Sequence, residues 1–318
     1  MKLPRWVVWA SAATMTLATG VVSGQSFPAR AVSLITSEAG GALDFTARSI
    51  APGLTSGLGQ QVIVENRAGL VIGALVAKAQ PDGYTLLVQS NALWILSFLQ
   101  KAPYDPERDF LPITAMTRQF NVLVAHPSVA ANSVKELIAL AKTKPGELNY
   151  ASGSSGASTH LAAELFKSMA GVNIVRISYK GAGPALNAVI SGEVQLMFSI
   201  AASVAPHAKS GSLRALAVTS AGPSVLAPGL PSVAASGLPG FESASMGGMF
   251  GPAKTPVAII NRPNREVVQF LSRADVKEKL LNIGVEAVGS SPEQFEITVK
   301  SEIVRLGKVI SDAGIRAG

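Results

Sequence analysis

The 318-residue chain contains no cysteine. Disulfide staples, thiolate metal sites and anchoring through a lipidated N-terminal cysteine are therefore excluded. Histidine is almost as scarce: His126, His160 and His207 are the only three, and none belongs to an H-E-x-x-H pair. No carboxylate cluster replaces them, so no metal site is expected. Charged residues make up 15%, against about a quarter in ordinary soluble domains, which predicts a surface sparse in ion pairs. No run of basic residues is interleaved with aromatics, which argues against a nucleic-acid partner. There is no G-x-x-x-x-G-K-[ST] loop, and Gly181-Ala182-Gly183 is only a fragment of a dinucleotide fingerprint, so no cofactor is expected.

What the chain does have begins at its N-terminus. Lys2 and Arg5 precede an apolar run from Trp6 to Val22, and Val22-Ser23-Gly24 supplies small residues before Gln25. This pattern reads as a secretory signal peptide over residues 1–24, cleaved near Gly24. No later segment has the apolar length of a membrane span. The first 24 residues carry two of the 27 basic side chains and none of the 20 acidic ones, so the remainder keeps a net charge of +5. A mildly positive body gathers small anions by electrostatic steering.

The stretch Val32 to Ile50, VSLITSEAGGALDFTARSI, places an apolar strand, a small-residue turn and an amphipathic helix in succession. Gly40 and Gly41 break the strand, Asp44 stands in the first helical turn, and Leu43, Ala47 and Ile50 recur at helical spacing. A helix that begins in glycines exposes its first N–H groups, and with the positive end of the helix dipole these form a seat for an anionic oxygen. Leu148 to Phe166, LNYASGSSGASTHLAAELF, repeats the arrangement. Either loop alone is equally an ordinary strand-to-helix turn. Two of them, one in each half of the chain, predict a cleft that holds anionic groups from both sides.

Between and beyond these loops the grammar is βαβ. QQVIVEN is a strand, Gly73 to Ala79 a short helix, and Pro81-Asp82-Gly83 a turn into the strand Tyr84 to Val88. Ala102 to Pro112 reads as a connection and Asn121 to Ala125 as a strand. Ser133 caps a helix with Glu136 at its N3 position. Ile174 to Ile177, Val194 to Phe198 and Leu213 to Thr219 follow as strands, with a helix over Ala185 to Ile190. A Pro/Gly/Ser-rich loop covers Ala221 to Gly240. Helices close the chain, one with an awkward Pro263 and a last one started by Ser291-Pro292-Glu293. The expected fold class is α/β, a two-lobe, type II periplasmic-binding-protein-like fold with two hinge crossings. Lobe 1 comprises 25–123 and 218–318, and lobe 2 comprises 124–217.

The ordered set AGGALDFTAR, VIVENR, PDGYTLL, PYDPERDF, SVKELIALAK, HLAAELF, YKGAGPAL, LRALAVTS, GLPGFE and SPEQF resembles the substrate-binding receptors of tripartite tricarboxylate transporters, the Bug family. The resemblance covers nearly the whole region beyond the leader. It implies a monomeric periplasmic receptor that captures a small carboxylate and delivers it to a two-subunit membrane permease. In that family the two glycine-bearing loops hold the ligand carboxylates. By position this implies Glu38, Ala39, Gly40, Gly41 and Asp44 at the first loop, and Ser154, Gly156, Ser158 and Thr159 at the second, with Ala182 and Ser199 beside them. Glu38 stands where the family has a small or apolar residue, and Ser199 where it has an aspartate or another polar group. Asp44 cannot favour a carboxylate as an anion; it caps its own helix, orders water, or meets an amino or hydroxyl group.

Two other classes share some of these features. A Ser-His-Asp enzyme could be sketched from the histidines with Asp44 and Ser154, Ser155 or Ser158, but no G-x-S-x-G elbow is present, and His160 reads as a packed or capping residue. A sensor that signals to a two-component kinase would use the same closed lobes as a transport receptor. Trp94, Phe98 and Phe120 are expected in the core rather than on a ligand.

Overall fold

The computed structural model describes residues 27–37, 39–40, 42–67, 71–153 and 156–315. The leader expected over 1–24 lies outside the described residues, as do Glu38, Gly41 and Ser154. In chain order the elements are β1 (Val32–Thr36), α1 (Ala42–Leu58), β2 (Val62–Asn66), α2 (Val71–Ala77), β3 (Thr85–Ser90), α3 (Ala92–Leu99) and β4 (Phe110–Ala125). Then come α4 (Val134–Thr143), β5 (Asn149–Ser152), α5 (Ser158–Ala170), β6 (Val175–Ser178), α6 (Ala182–Ile190), β7 (Leu196–Ile200), α7 (Ala201–Ser210) and β8 (Arg214–Val218). The chain ends with β9 (Ala244–Pro252), α8 (Val257–Leu271), α9 (Ala274–Asn282), β10 (Glu286–Ala287) and α10 (Pro292–Asp312).

The strands form one sheet in the order β2-β1-β3-β9-β4-β7-β5-β6, with β8 and β10 also paired to β4. β1 runs parallel to β2 and β3, and β5 runs parallel to β6 and β7. Strand side chains alternate between faces, and the cores follow that alternation. Leu34, Leu86 and Val88 point to a core built with α1 and α8, whereas Ile35 and Leu87 join one built with α2, α3 and α10. In the second half Leu123 and Ala125 face α4 and α5, while Val122 and Val124 face α6 and α7. Each half is therefore a sheet covered by helices on both faces, the arrangement that near-continuous apolar strands require.

β4 joins the halves. Phe110 to Phe120 pair with β9, and Asn121 to Ala125 pair with β7 and β8. The chain returns at Thr219 and Ser243. There Asn121 N–H donates to Thr219 Oγ1 (2.9 Å), Thr219 N–H to Asn121 O (2.8 Å), and Ser243 N–H to Thr219 O (2.8 Å). These are the two crossings of the fold. α10 adds a third link by packing, since Phe295, Val299, Ile303 and Leu306 fill a first-lobe core and Val309 reaches a second-lobe one.

Local signals were obeyed where they are short-range. Ser133 Oγ accepts from Glu136 N–H, and Ser291 with Gln294 completes a capping box behind Pro292. Gly83 takes φ +82° in the Pro-Asp-Gly turn, where Tyr84 N–H meets Asp82 Oδ1. Other stretches differ from expectation. Phe110 to Ala125 is one strand rather than a connection followed by a short strand, because register shifts between Pro112 and Thr114 and between Ala115 and Thr117 absorb the proline. Ala92 to Leu99, where no element was expected, is a helix; α8 spans Val257–Leu271 as its pattern suggests and carries Pro263 inside it. Trp94 and Phe120 are buried as expected, but Phe98 is 39% exposed.

Candidate functional site

The first loop follows β1. Gly40 takes φ +85°, a conformation that favours glycine, and donates its N–H to Asp44 Oδ2 at 3.0 Å. Asp44 Oδ1 accepts from Arg48 Nε (2.9 Å) and Asn66 Nδ2 (2.7 Å). Asn66 Nδ2 also reaches Ser37 O, and Arg48 Nη2 reaches Asn66 Oδ1. Burial opposes the Asp44 charge, but the Asn66 amide, the Gly40 N–H and Arg48 together hold its carboxyl below the ordinary range. Asp44 is thus committed to shaping the loop, as a cap and brace.

The second loop repeats the device in a different chemistry. Gly156 takes φ +78°, and its N–H donates to Nδ1 of His160, four residues on, at 3.1 Å. Gly40 and Asp44 stand in the same relation, each glycine two residues before its helix. His160 is buried, and burial with the Arg176 charge pushes its pKa down to about 4, against an opposing pull from Glu164. The imidazole is therefore neutral near pH 7, and accepting at Nδ1 puts its hydrogen on Nε2. Beneath the loop, Arg176 of β6 donates from Nε to Ser152 Oγ (2.7 Å) and from Nη2 to Gly153 O (2.9 Å). A Cβ on Gly153 would lie 3.2 Å from the Gly181 carbonyl carbon and 3.3 Å from Ala182 N. A side chain here would press the α6 turn back by a few tenths of an ångström.

A cavity of about 300 Å³ lies where the lobes meet. Its second-lobe wall is Gly156, Ala157 and Ser158; its first-lobe wall is Ser90, Asn91, Ala92, Ile95, Leu96, Leu99 and Ser245. Two helix N-termini thus converge on it, those of α3 and α5. Neither Asn91 nor Ala157 caps its helix with a side chain. In α5 the first main-chain helical bond is Leu161 N–H to Ala157 O, so the N–H groups of Ser158, Thr159 and His160 precede it. Positive dipole ends and hydroxyls from both sides suit a small anion, while Ile95, Leu96 and Leu99 offer an apolar wall.

Of the residues expected from sequence, Gly156 and Ser158 line the cavity. Thr159 is buried behind them, and Ala182 is exposed at the start of α6. Ser199 is buried in β7 opposite Val122. Ala39 and Gly40 sit at the carboxyl end of β1, one strand from Ser90, since Thr36 is in register with Val88. Glu38, Gly41 and Ser154 lie outside the described residues. The sequence reading overlooked Ser90, Asn91, Ser245 and Arg176. Ser90-Asn91 before an apolar run was a legible helix start; Ser245 and Arg176 come into place only by sheet pairing.

The family described as tripartite tricarboxylate transporter family receptor matches residues 46–315. Protein BugT of Bordetella pertussis is 35% identical over 302 residues, covering 93% of each chain. Among solved structures, R. palustris Rpa4515 with adipate is 35% identical, covers 92% of this chain and 100% of its own, and superposes with a TM-score of 0.71. MatC from Rhodopseudomonas palustris with bound malate is 27% identical, with coverage of 89% and 100% and a TM-score of 0.68. A type II-like periplasmic-binding-protein fold and a match over most of the sequence place this chain in the tripartite tricarboxylate transporter receptor (Bug) family.

Proposed function

We propose that the chain is an exported receptor that holds a small carboxylate between its lobes and presents it to a two-subunit membrane permease. The observation that carries this reading is the cavity in which the N-terminus of α5, at Gly156 to Ser158, faces the N-terminus of α3, at Asn91 and Ala92. Charge-assisted hydrogen bonds from such N–H groups contribute about 1.5–3 kcal/mol each. A few of them, less the ordering cost, suit an affinity near micromolar, about −8 kcal/mol. The adipate and malate held by the two solved relatives support the ligand class.

On this reading Gly156 and Ser158 contact the ligand directly, with Ala39, Gly40, Gly41 and Ser154 completing the seat. Asp44 and Thr159 act from behind the loops. The lobe boundaries at 123/124 and 217/218 lie near the change of β4 partner at Asn121, although Val233, Leu238 and Phe241 beyond the second boundary pack in the second-lobe core. Residues 1–24 act as the leader, and the protein binds without turnover, as a monomer. Among the described residues no helix is long and apolar enough to cross a membrane.

Thermal melting of residues 25–318 against di- and tricarboxylates, aromatic acids, amino acids and neutral amides tests the proposal. A ligand of the native state adds about 2.7 kcal/mol at a hundredfold excess over its dissociation constant. A shift confined to carboxylates is expected; shifts only with neutral or cationic compounds refute it.

A further inference from the structure

Helix α3, Ala92 to Leu99, is apolar on every side, with Ser97 its one polar residue. A helix at the edge of a water-filled cleft ordinarily turns a polar face toward it. Leu93 and Trp94 are buried in the first-lobe core. Ala92, Ile95, Leu96 and Leu99 stand at i, i+3, i+4 and i+7, so they share another face, and that face is the cavity wall. Ile95 is anchored in the core, whereas Leu96 and Leu99 are only part-buried and offer hydrocarbon to the cavity. Leu99 Cδ1 lies 2.4 Å from where a Cβ on Gly156 would stand, which sets this end of the wall against the second loop. The polar groups of the first-lobe wall gather at the other end. Ser90 Oγ accepts from Ala92 N–H (3.2 Å), Asn91 Nδ2 donates to Ala244 O (3.2 Å), and Ser245 Oγ lies 3.5 Å from Asn91 Oδ1. About 10 Å of helical rise separates Ala92 from Leu99.

The first-lobe wall thus changes character along α3, from hydroxyl and amide groups beside Asn91 to the branched chains of Ile95, Leu96 and Leu99. At about 300 Å³ the cavity stands at the small end of the range for small-molecule sites, so a bound acid lies against this wall rather than clear of it. We propose that α3 reads the body of the ligand, selecting a small carboxylate whose skeleton is bare hydrocarbon, aliphatic or aromatic, over one that carries hydroxyl groups. The inference rests on the carboxylate reading of the cavity and adds the class of acid. Burying one methylene against such a wall favours binding about fourfold. A hydroxyl pressed on the same surface loses water without gaining a partner, at a cost of about tenfold. The two effects act in the same direction, and the anchored Ile95 keeps the wall from yielding.

Calorimetry at pH 7 compares adipate and benzoate with galactarate and citrate; galactarate is adipate's own skeleton with a hydroxyl on each inner carbon. The preference is the tighter of the first two against the tighter of the second two, and about tenfold or more is expected for wild type. Leu96→Gln with Leu99→Gln lays amides on the wall at similar length, whereas Leu96→Met with Leu99→Met keeps it apolar. The preference should fall about tenfold in the first double variant and stay within about twofold of wild type in the second. Leu96→Gln alone, at a part-buried position, should lower it about threefold, and it carries the test if the double variant does not fold. Equal or tighter binding of the hydroxylated acids by wild type overturns the inference and leaves the carboxylate reading standing. So does a preference unmoved by glutamine, which would mean that the wall only packs the lobes, or one lost equally with methionine. A wild type that binds none of these acids overturns the carboxylate reading and the inference with it.

Discussion

Acidification probes the second loop through His160. The residue is 3% exposed, and its Nδ1 accepts the Gly156 N–H. Burial, then the Arg176 charge and Lys167, lower its pKa from the ordinary 6.5 to about 4, with Glu164 pulling the other way. The unfolded chain takes up a proton near pH 6.5 while the native chain stays neutral until about pH 4. His160 therefore leaves stability intact above the unfolded value and drains it as pH falls from 6.5 to about 4, after which both states are charged and the loss stops. At about 1.4 kcal/mol per pH unit, that window is worth about 3 kcal/mol. The variant His160→Asn places a non-titrating acceptor near the position of Nδ1 and should keep the Gly156 contact. Trp94 is the only tryptophan beyond Trp9 and is fully buried, so its fluorescence reports unfolding of the first lobe, and far-UV circular dichroism reports both. Urea unfolding at several pH values should show wild type losing about 3 kcal/mol more than His160→Asn across the window. Parallel curves for the two proteins, or a native His160 that titrates near its ordinary value, would refute the argument.

Two further substitutions test the loops. Asp44→Asn replaces one carboxylate oxygen by a donor facing donors, so it should cost about 2 kcal/mol in urea at pH 7. Because the native carboxyl is held below its ordinary 3.8, that cost should shrink as pH falls below 3.8, where the unfolded chain takes up the proton before native Asp44 does; a variant as stable as wild type at pH 7 would remove Asp44 from the brace. Gly156→Val would put a Cβ 2.4 Å from Leu99 Cδ1 at φ +78°, adding backbone strain of about 1–2 kcal/mol to a clash across the cavity. Carboxylate binding should be lost with the circular dichroism of the fold retained. Gly40→Ala, whose Cβ would meet nothing within 4 Å, should cost only the strain, about 1 kcal/mol; equal damage from both would mean that space at Gly156 is irrelevant.

The legible parts of this protein are those in which neighbours along the chain decide the outcome. Leu34 and Ile35 alternate because consecutive strand residues face opposite ways, and Ser133 with Glu136 caps a helix three residues away. The glycine loops announced themselves in the same manner, as did the packed role of His160. The ordered family resemblance extended this to the fold class. Signals failed where the local pattern is ambiguous. ALWILSFL in α3 is too uniformly apolar for a helical period to show, Pro206 within α7 and Pro112 within β4 argue locally against the elements that contain them, and Phe98, apolar by type, stays exposed.

By itself the sequence determined the strand and helix phases, the caps, and the presence of two glycine-bearing loops that open helices, since each depends on contacts within a few residues. Tertiary structure alone decided what those loops face. Gly156 meets Leu99 from across the cavity, Asn66 closes the ring around Asp44, Ser245 joins Asn91, and Arg176 settles beneath Ser152. Such contacts join residues tens of positions apart. They depend on sheet order and lobe packing, which no local periodicity encodes.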